Sequence, residues 1–236
     1  MDMEVRAAAA KVEKYASSQS GDTLEMVERP GGGISFVLAD GQRSGQSAKA
    51  ISNMVVRKVI SLLAEGVRDG AAARAASDYL YNAKKGQVQA TLNILSVDLT
   101  TNTLVITRNN PAPVIVAQGE QISMLDSPSL VVGLYRDTRP VINEMPLEIG
   151  ITVVMFTDGL LLSGERTGES LDVTSTLRMF LDEENPLPRI IADTLLEQAM
   201  KLDNGRPVDD ISVVALRVME KRGDEARRMT VRLPIP

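Results

Sequence analysis

Three aspartates in this 236-residue sequence adjoin apolar runs that have the length and composition of buried β-strands. An Asp-Gly pair after a strand is usually only a turn, because glycine tolerates positive φ and aspartate bonds its own backbone. Together with Gly21-Asp22, which precedes a predicted hairpin, the three sites instead indicate carboxylates that converge in one cleft. The three aspartates are Asp40 after residues 34–39, Asp158 after residues 151–157, and Asp209, which together with its neighbour Asp210 precedes residues 211–216.

Converging carboxylates repel one another and raise one another's pKa unless cations neutralise them. The sequence contains no histidine and no cysteine, which narrows the chemistry further. A Ser-His-Asp triad, a cysteine nucleophile, a phosphohistidine and a zinc site on imidazole or thiolate are therefore excluded. Carboxylates, backbone carbonyls and water remain as ligands, and these hard oxygen donors favour Mg²⁺, Mn²⁺ or Ca²⁺.

The composition predicts a cytoplasmic protein that binds neither nucleic acid nor membranes. A net charge of -5 and a pI near 5.0 provide no basic surface for a phosphate backbone. No run of about 18 apolar residues and no signal-peptide pattern is present. With 44% hydrophobic residues, the chain has enough apolar surface for one sizeable core. We therefore expect a single domain over residues 1–236, with residues 219–236 as a C-terminal extension or an extra edge strand.

The first part of the chain predicts a hairpin followed by two helices. Residues 5–16 are compatible with a strand or a short helix, whereas residues 24–28 and 34–39 read as strands around a glycine-rich turn. A second helix should begin after Asp69 and end at the basic, glycine-terminated stretch 84–86, with Ala72, Ala76, Tyr79 and Leu80 on one side. The first helix, with Ser44 or Ser47 as its N-cap, is indicated by spacings of three and four between Ala48, Ile51, Val55, Val59 and Leu62.

The apolar period then changes to two, which predicts strands joined by short polar turns as an antiparallel meander. Two sheets flanked by helix pairs would accommodate these elements. In chain order we expect strands at 89–98, 103–108 and 113–118, a long connection at 127–146, a buried strand at 151–157, a loop at 163–172, a helix at 187–202 with Ile191, Leu195 and Ala199 inward, and a core strand at 211–218.

Six segments of the sequence occur in the order found in a known family. The chain resembles the metal-dependent protein phosphatase (PPM) superfamily, in particular its bacterial branch of stage II sporulation protein E-type and sigma-factor-regulating, stressosome phosphatases. Each segment is a weak signal alone, but the six in this order and spacing make a specific match. They are Ser-Gly-Asp at 20–22, Phe-Val-Leu-Ala-Asp-Gly-Gln-Arg-Ser-Gly at 36–45, Ala-Thr-Leu at 90–92, Asn-Asn-Pro-Ala-Pro at 109–113, Phe-Thr-Asp-Gly at 156–159, and Asp-Asp-Ile-Ser-Val-Val at 209–214.

The resemblance implies an α/β (α+β) fold, a four-layer α/β/β/α sandwich with two central, mainly antiparallel sheets and two Mn²⁺ or Mg²⁺ ions. In that arrangement Asp40 would bridge the metals and the Gly41 carbonyl would bind the second ion. Asp158 and Asp209 would complete the first, and Asp22 would act through water. Asp40, Asp158 and Asp209 are thus the expected catalytic residues.

The resemblance also implies a function. The expected activity is hydrolysis of phosphoserine or phosphothreonine by a metal-activated water, and the expected substrate is an anti-anti-sigma (STAS-type) or stressosome-type regulatory protein. The alternative is a catalytically silent module of the same fold that docks a phosphoprotein. The three retained aspartates favour the enzyme, because a silent copy has no need of all of them.

The sequence departs from the family pattern in three places. Glu25 stands where a second Asp is common, and a glutamate expected soon after Asp158-Gly159 is postponed to Glu165. The usual Asn-Ala-Gly-His-Pro-Pro motif appears at residues 109–113 without its histidine, so we interpret this segment as a structural turn. Arg43, two residues past Gly41, is a candidate clamp for the substrate phosphate, although an arginine on such a loop is more often simply solvated.

Overall fold

A computed structural model describes residues 2–181 and 186–234. The described residues form ten strands and five helices. The strands are β1 Met3–Val12, β2 Asp22–Glu28, β3 Gly33–Gly41, β4 Ala90–Asp98, β5 Thr103–Asn109, β6 Val114–Gln118, β7 Gln121–Leu125, β8 Val141–Pro146, β9 Thr152–Phe156 and β10 Ile211–Glu220. The helices are α1 Gly45–Ala64, α2 Asp69–Lys84, α3 Gly159–Leu162, α4 Val173–Leu181 and α5 Pro188–Leu202.

The strands form two five-stranded antiparallel sheets. Sheet I has the order β2-β3-β4-β5-β8, and sheet II has the order β1-β10-β9-β6-β7. One apolar cluster joins α1 and α2 to sheet I, a second joins α4 and α5 to sheet II, and a third fills the space between the sheets. The expected four-layer α/β/β/α sandwich is therefore confirmed.

Strand alternation determines which side chains enter the space between the sheets. Successive side chains of a strand point to opposite faces, so residues two apart share a face. Leu38 of β3 and Leu24 of β2 belong to the cluster between the sheets. Asp40 and Asp22 lie two residues from these leucines and therefore face the same interior. The apolar pattern of each strand thus directs a carboxylate toward the opposite sheet.

The structure corrects the expected meander at its third strand. β4 and β5 pair as predicted, but β6 leaves sheet I and pairs with β7 and β9 in sheet II. The stretch 109–113 does not close a hairpin; the chain crosses there to the other sheet, and the Asn110 side chain accepts a hydrogen bond from the Ala112 amide at 2.9 Å within the crossing. The edge of β5 is instead covered by β8, which lies inside the expected connection 127–146.

Other local expectations were resolved or revised. The undecided N-terminal stretch forms β1, because pairing with β10 outweighs the helix preference of its alanines. Tyr79 is 47% exposed, whereas Ala72, Ala76 and Leu80 are buried as expected. Three elements besides β8 were not predicted, namely the edge strand β7 and the helices α3 and α4. All three are short. β8 alternates between half-buried and exposed residues, so its apolar signal is weak.

The C-terminal part has little regular structure after the last strand. β10 continues to Glu220, and residues 221–234 form neither helix nor strand and are mostly exposed. The assignment of the chain to a single domain stays a prediction. Within the described ranges, no helix combines the length and the apolar character that crossing a membrane requires.

A buried ion pair fastens α2 to the edge of sheet I. The Arg29 guanidinium donates to the Asp69 carboxylate at 2.5 Å, and the two side chains are 9% and 5% exposed. Arg29 also donates to the Val67 carbonyl at 3.0 Å, and the Ser96 hydroxyl donates to the second oxygen of Asp69 at 2.5 Å. Removing one partner of such a pair leaves an uncompensated buried charge.

We therefore predict that Asp69→Ala lowers the free energy of unfolding by about 3–5 kcal/mol, measured by urea denaturation. The matched control is Asp193→Ala, which breaks the exposed pair between Arg189 and Asp193 at 3.4 Å. That change should alter stability by less than about 1 kcal/mol. Equal losses in both variants would contradict the role given to the buried pair.

Candidate functional site

Four aspartates predicted from the sequence occupy strand ends at one end of the sandwich. Asp22 begins β2 and Asp40 lies at the end of β3, where the two residues pair directly across the sheet. Asp158 follows β9 and Asp209 precedes β10, two neighbouring strands of the other sheet. The structure therefore brings carboxylates from both sheets to the same edge of the interior.

Asp40 lies at the centre of this group. The pKa of Asp40 is raised to about 9, chiefly by burial and also by the negative charges of Asp22, Asp158 and Asp209. Asp40 is thus the carboxyl group that most needs either a proton or a cation beside it.

Asp22 is fully buried and only partly satisfied. Its Oδ2 accepts hydrogen bonds from the Ser212 hydroxyl at 2.6 Å and from the Thr157 hydroxyl at 3.0 Å. Its Oδ1 has no hydrogen-bond partner among residues 2–181 and 186–234. Burial raises the pKa of Asp22 to about 6, while Ser212 and the charge of Lys11 oppose the rise. One carboxylate oxygen is therefore available to a further ligand.

Asp158 and Asp209 have similar electrostatics on the sheet II side. Burial raises the pKa of Asp158, and the charge of Asp209 adds to the rise. Burial also raises the pKa of Asp209, although its Oδ1 accepts a hydrogen bond from the Asp210 amide at 3.0 Å. All four predicted metal ligands with carboxyl groups therefore have pKa values shifted toward the protonated form.

Two lysines that the sequence analysis did not single out lie beside the carboxylates. The ammonium groups of Lys11 from β1 and Lys49 from α1 both donate to the Asp22 carbonyl at 2.6 Å. Burial lowers the pKa of Lys11, while the charges of Asp22 and Asp210 raise it. Burial and the charge of Lys11 lower the pKa of Lys49. These cations offset part of the carboxylate repulsion from one side.

Asp210 differs from its neighbour Asp209, because both of its oxygens hold backbone groups. Oδ1 accepts from the Lys14 amide at 2.9 Å, and Oδ2 accepts from the Gly21 amide at 2.7 Å. The side chain thereby ties the end of β1 and the start of β2 to the start of β10. We interpret Asp210 as the residue that positions Asp22, rather than as a ligand.

Two glycines at the site are required by close packing. A Cβ at Gly41 would lie 2.0 Å from the Ala48 carbonyl oxygen, and one at Gly159 would lie 2.1 Å from the Asp210 carbonyl oxygen. Neither contact is possible for a real side chain, so each glycine lets its adjoining strand end approach a neighbouring element. The Asp-Gly pairs therefore do more than close turns.

The oxygen atoms of the aspartate carboxylates and of the Gly41 carbonyl suit a hard divalent cation, although they do not surround one common point. In the part of the chain that the structure describes, no three acidic side chains are close enough together to hold one ion among themselves. The unpartnered Oδ1 of Asp22 and the raised pKa of Asp40 nevertheless indicate a site that lacks positive charge. Carboxylate and carbonyl oxygens are the ligands that Mg²⁺ and Mn²⁺ prefer.

The departures noted in the sequence now have structural explanations. Glu25 lies three residues after Asp22 on β2, so alternation directs it to the opposite face, where its charge acts on Lys49. Glu25 therefore does not replace a second site carboxylate. Glu165 is exposed. The Asn109 amide donates to the Leu130 carbonyl at 2.8 Å, which agrees with a structural role for this turn.

Arg43 lies outside the cluster of carboxylates. It is exposed, its backbone has a φ of 77°, and it makes none of the hydrogen bonds or ion pairs found in the described ranges. Its role as a phosphate clamp stays a prediction.

The residues that sequence reasoning missed are those that hold the carboxylates in place. Thr157 and Ser212 lie inside the matched segments, directly before Asp158 and three residues after Asp209, so their hydroxyls could have been recognised as partners. Lys11 and Lys49 lie in different elements, and only the packing of β1 and α1 around β2 brings them together.

Comparison with known proteins identifies the family of this chain. A model of the stage II sporulation protein E (SpoIIE) family matches residues 30–219. The stage II sporulation protein E of Bacillus subtilis is 23% identical over 214 residues, which is 91% of this chain and 26% of that protein. The chain thus spans about a quarter of the length of this curated relative.

Solved structures share the fold. The PP2C phosphatase domain of SpoIIE from Bacillus subtilis with a fragment of its regulatory domain aligns with a TM-score of 0.80 at 22% identity, over 94% of this chain and 65% of that one. The RsbU and RsbW domains of a Mycobacterium tuberculosis protein align with a TM-score of 0.76 at 16% identity, over 93% of this chain and 62% of that one. The catalytic domain of the phosphatase PstP with 2 manganese ions aligns with a TM-score of 0.67 at 17% identity, over 93% of this chain and 100% of that one.

The raised pKa values predict how stability depends on pH without metal. Between the unfolded pKa and the raised folded pKa, the folded state binds more protons than the unfolded state, so stability falls as pH rises. For Asp22 this window runs from pH 3.8 to about pH 6. For Asp40 it runs from pH 3.8 to about pH 9. In EDTA, the Tm should fall by about 5 °C or more between pH 6 and 9.

Asp40→Asn should remove most of that fall, because the amide carries no charge at any pH. The exposed control Asp193→Asn should retain it in full. A Tm in EDTA that is constant or rises over this range would contradict the electrostatic account of the cluster.

The adjacent Asp209 and Asp210 should give opposite phenotypes. Asp210→Asn deprives the Lys14 or Gly21 amide of its acceptor, so it should lower the free energy of unfolding by about 1–3 kcal/mol yet preserve stabilisation by Mn²⁺. Asp209→Asn should leave stability in EDTA unchanged or higher and abolish the Mn²⁺-induced rise in Tm. Thermal unfolding with EDTA and with Mn²⁺ distinguishes the two, and identical behaviour would refute the division of roles.

Proposed function

The chain belongs to the stage II sporulation protein E (SpoIIE) family, and from that premise we propose that it is a metal-dependent protein serine/threonine phosphatase. The observation that carries the proposal is the position of Asp40, whose carboxyl group lies among Asp22, Asp158 and Asp209 where strand ends of both sheets meet. Membership of the family indicates the class of reaction, and the carboxylate cluster supplies the residues that would bind the catalytic metal ions.

Two Mn²⁺ or Mg²⁺ ions are the proposed cofactors. Asp40 would contact both ions, the Gly41 carbonyl would bind one of them, and Asp158 and Asp209 would complete the other. Asp22 would act through water, and its Oδ1, which has no hydrogen-bond partner among the described residues, supports that role. The structure of PstP with 2 manganese ions is an example of a related fold that binds this metal.

When bound, the ions would supply an activated water and positive charge for the phosphoryl oxygens. The chain's own residues prepare the site for that chemistry. The Ser212 and Thr157 hydroxyls both donate to Oδ2 of Asp22 and so fix the orientation of this side chain. Its Oδ1 has no hydrogen-bond partner in the described ranges. Lys11 and Lys49 hold the Asp22 backbone and add positive charge near a site that a phosphate dianion would otherwise avoid.

The finer parts of the proposal concern the substrate and the setting. We propose a phosphoserine or phosphothreonine of an anti-anti-sigma (STAS-type) or stressosome-type regulatory protein as substrate, in the cytoplasm. This rests on kinship, since a related structure contains RsbU and RsbW domains. Arg43, exposed on the loop after β3, is a candidate contact for the substrate rather than for the metals.

The activity assay uses p-nitrophenyl phosphate and a phosphoserine peptide with Mn²⁺. Asp40→Asn should lower kcat by at least about 10²-fold, because it weakens the proposed ligand shared by both ions. EDTA should abolish turnover, and excess Mn²⁺ should restore it. The control Asp193→Asn should keep wild-type rates.

Two other outcomes are informative. Turnover that is insensitive to EDTA would contradict the metal mechanism. Mn²⁺ binding without turnover, together with stable retention of a phosphorylated STAS domain, would instead identify a phosphoprotein-docking module of the same fold. Activity on phosphotyrosine peptides but not on phosphoserine peptides would contradict the proposed substrate class.

A further inference from the structure

A cavity of about 520 Å³ lies at the end of sheet II that is opposite the carboxylates. Its lining includes Arg217 of β10, which pairs with Thr152, the first residue of β9. The carboxylates lie beyond the other end of the same strands, because Asp158 follows the last residue of β9. The cavity is lined by Gly119, Glu120, Gly150, Arg178, Leu181 and Arg217.

Arg217 is a buried cation that lines this cavity. Its alternation with Val213 and Ala215 directs it to the face of sheet II that packs against helices, an apolar environment in which it is 9% exposed. One guanidinium nitrogen is 3.4 Å from the Thr152 hydroxyl, while Nε has no partner in the described ranges. Burial lowers the pKa of Arg217. Among the described residues this guanidinium has no carboxylate partner, which is costly for a buried cation, and an anion in the cavity would offset that cost.

A second arginine lies at the rim of the same cavity. Arg178 of α4 is exposed to solvent, and the described lining contains one acidic side chain, Glu120, against the two arginines. Among the residues that the structure describes, the lining therefore carries more positive than negative charge. The volume of 520 Å³ falls within the range of about 300–1,000 Å³ that is usual for small-molecule pockets.

We propose that this cavity binds the phosphate-type oxyanion of a small phosphorylated molecule, with Arg217 at its floor and Arg178 at its rim. The planar guanidinium presents donors that match two oxygens of such a group, and a partly desolvated site strengthens the bond. The exposed Arg178 closes on the anion from the solvent side. The remaining volume accommodates the rest of the ligand. This site is separate from the carboxylate cluster and does not depend on phosphatase activity.

The separation of the two sites makes the proposal testable without the proposed metals. EDTA removes the proposed metals from the carboxylate cluster, and the arginine variants then decide whether a phosphate-specific stabilisation arises at the cavity. We expect 20 mM inorganic phosphate in EDTA to raise the Tm by about 2 °C or more over sodium chloride of equal ionic strength. At equal concentration, a sugar monophosphate should produce the larger rise, whereas an equal rise would identify free phosphate as the ligand.

The variants assign the effect to the two arginines. Arg217→Gln should abolish the phosphate-dependent rise and should be no less stable than the wild type in chloride, because it removes a buried charge. Arg178→Gln, at an exposed position, should fold normally and lose at least half of the rise, so the test holds even if the first variant is unstable. Arg189→Gln, an exposed arginine on α5, should retain the full rise. The absence of a phosphate-specific rise in the wild type, or its retention in Arg178→Gln and Arg217→Gln, would overturn the proposal.

Discussion

Repulsion among carboxylates is the constraint on which the rest of this structure depends. Asp40 lies among three other aspartates in a partly buried position, and each charge makes the others harder to maintain. The aspartates can meet only because β2 and β3 of one sheet and β9 and β10 of the other have their site ends at the same edge of the sandwich. The carboxylate cluster is therefore a consequence of the fold. A site of this kind is stable only when protons or cations occupy it, which links the stability of the fold to its proposed chemistry.

The surrounding residues reduce this cost without removing it. Ser212 and Thr157 satisfy one oxygen of Asp22, and the Lys11 and Lys49 ammonium groups bond to the Asp22 carbonyl. Asp210 uses its charge to hold backbone amides and so fixes the approach of β2 to β10. The charge of Lys11 acts on Asp40 from one side, but both ammonium groups bond to the Asp22 carbonyl rather than to the Asp40 carboxyl group. Divalent cations from solution would supply the remaining positive charge, which is the physical basis of the proposed metal dependence.

The sequence was sufficient for the features that depend on local pattern. Apolar runs located most of the core strands, and the aspartates at their ends predicted a carboxylate cluster before any geometry was known. The sequence was insufficient for features that depend on which strands pair. The crossing of β6 to the other sheet and the positions of the edge strands β7 and β8 depend on contacts between residues distant in sequence. The positions of Lys11 and Lys49 could not be predicted for the same reason. The orientation of Glu25 away from Asp22 was predictable from strand alternation alone.

The central claim is that divalent cations bind at Asp40. The most direct measurement is a crystal structure of the wild-type chain soaked with Mn²⁺, with an anomalous difference map collected to locate the metal. The account predicts two peaks, each about 2.0–2.3 Å from a carboxylate oxygen of Asp40, with Asp158 and Asp209 as further ligands of one of them. A map without peaks at this cluster, or with manganese bound only elsewhere on the chain, would contradict it.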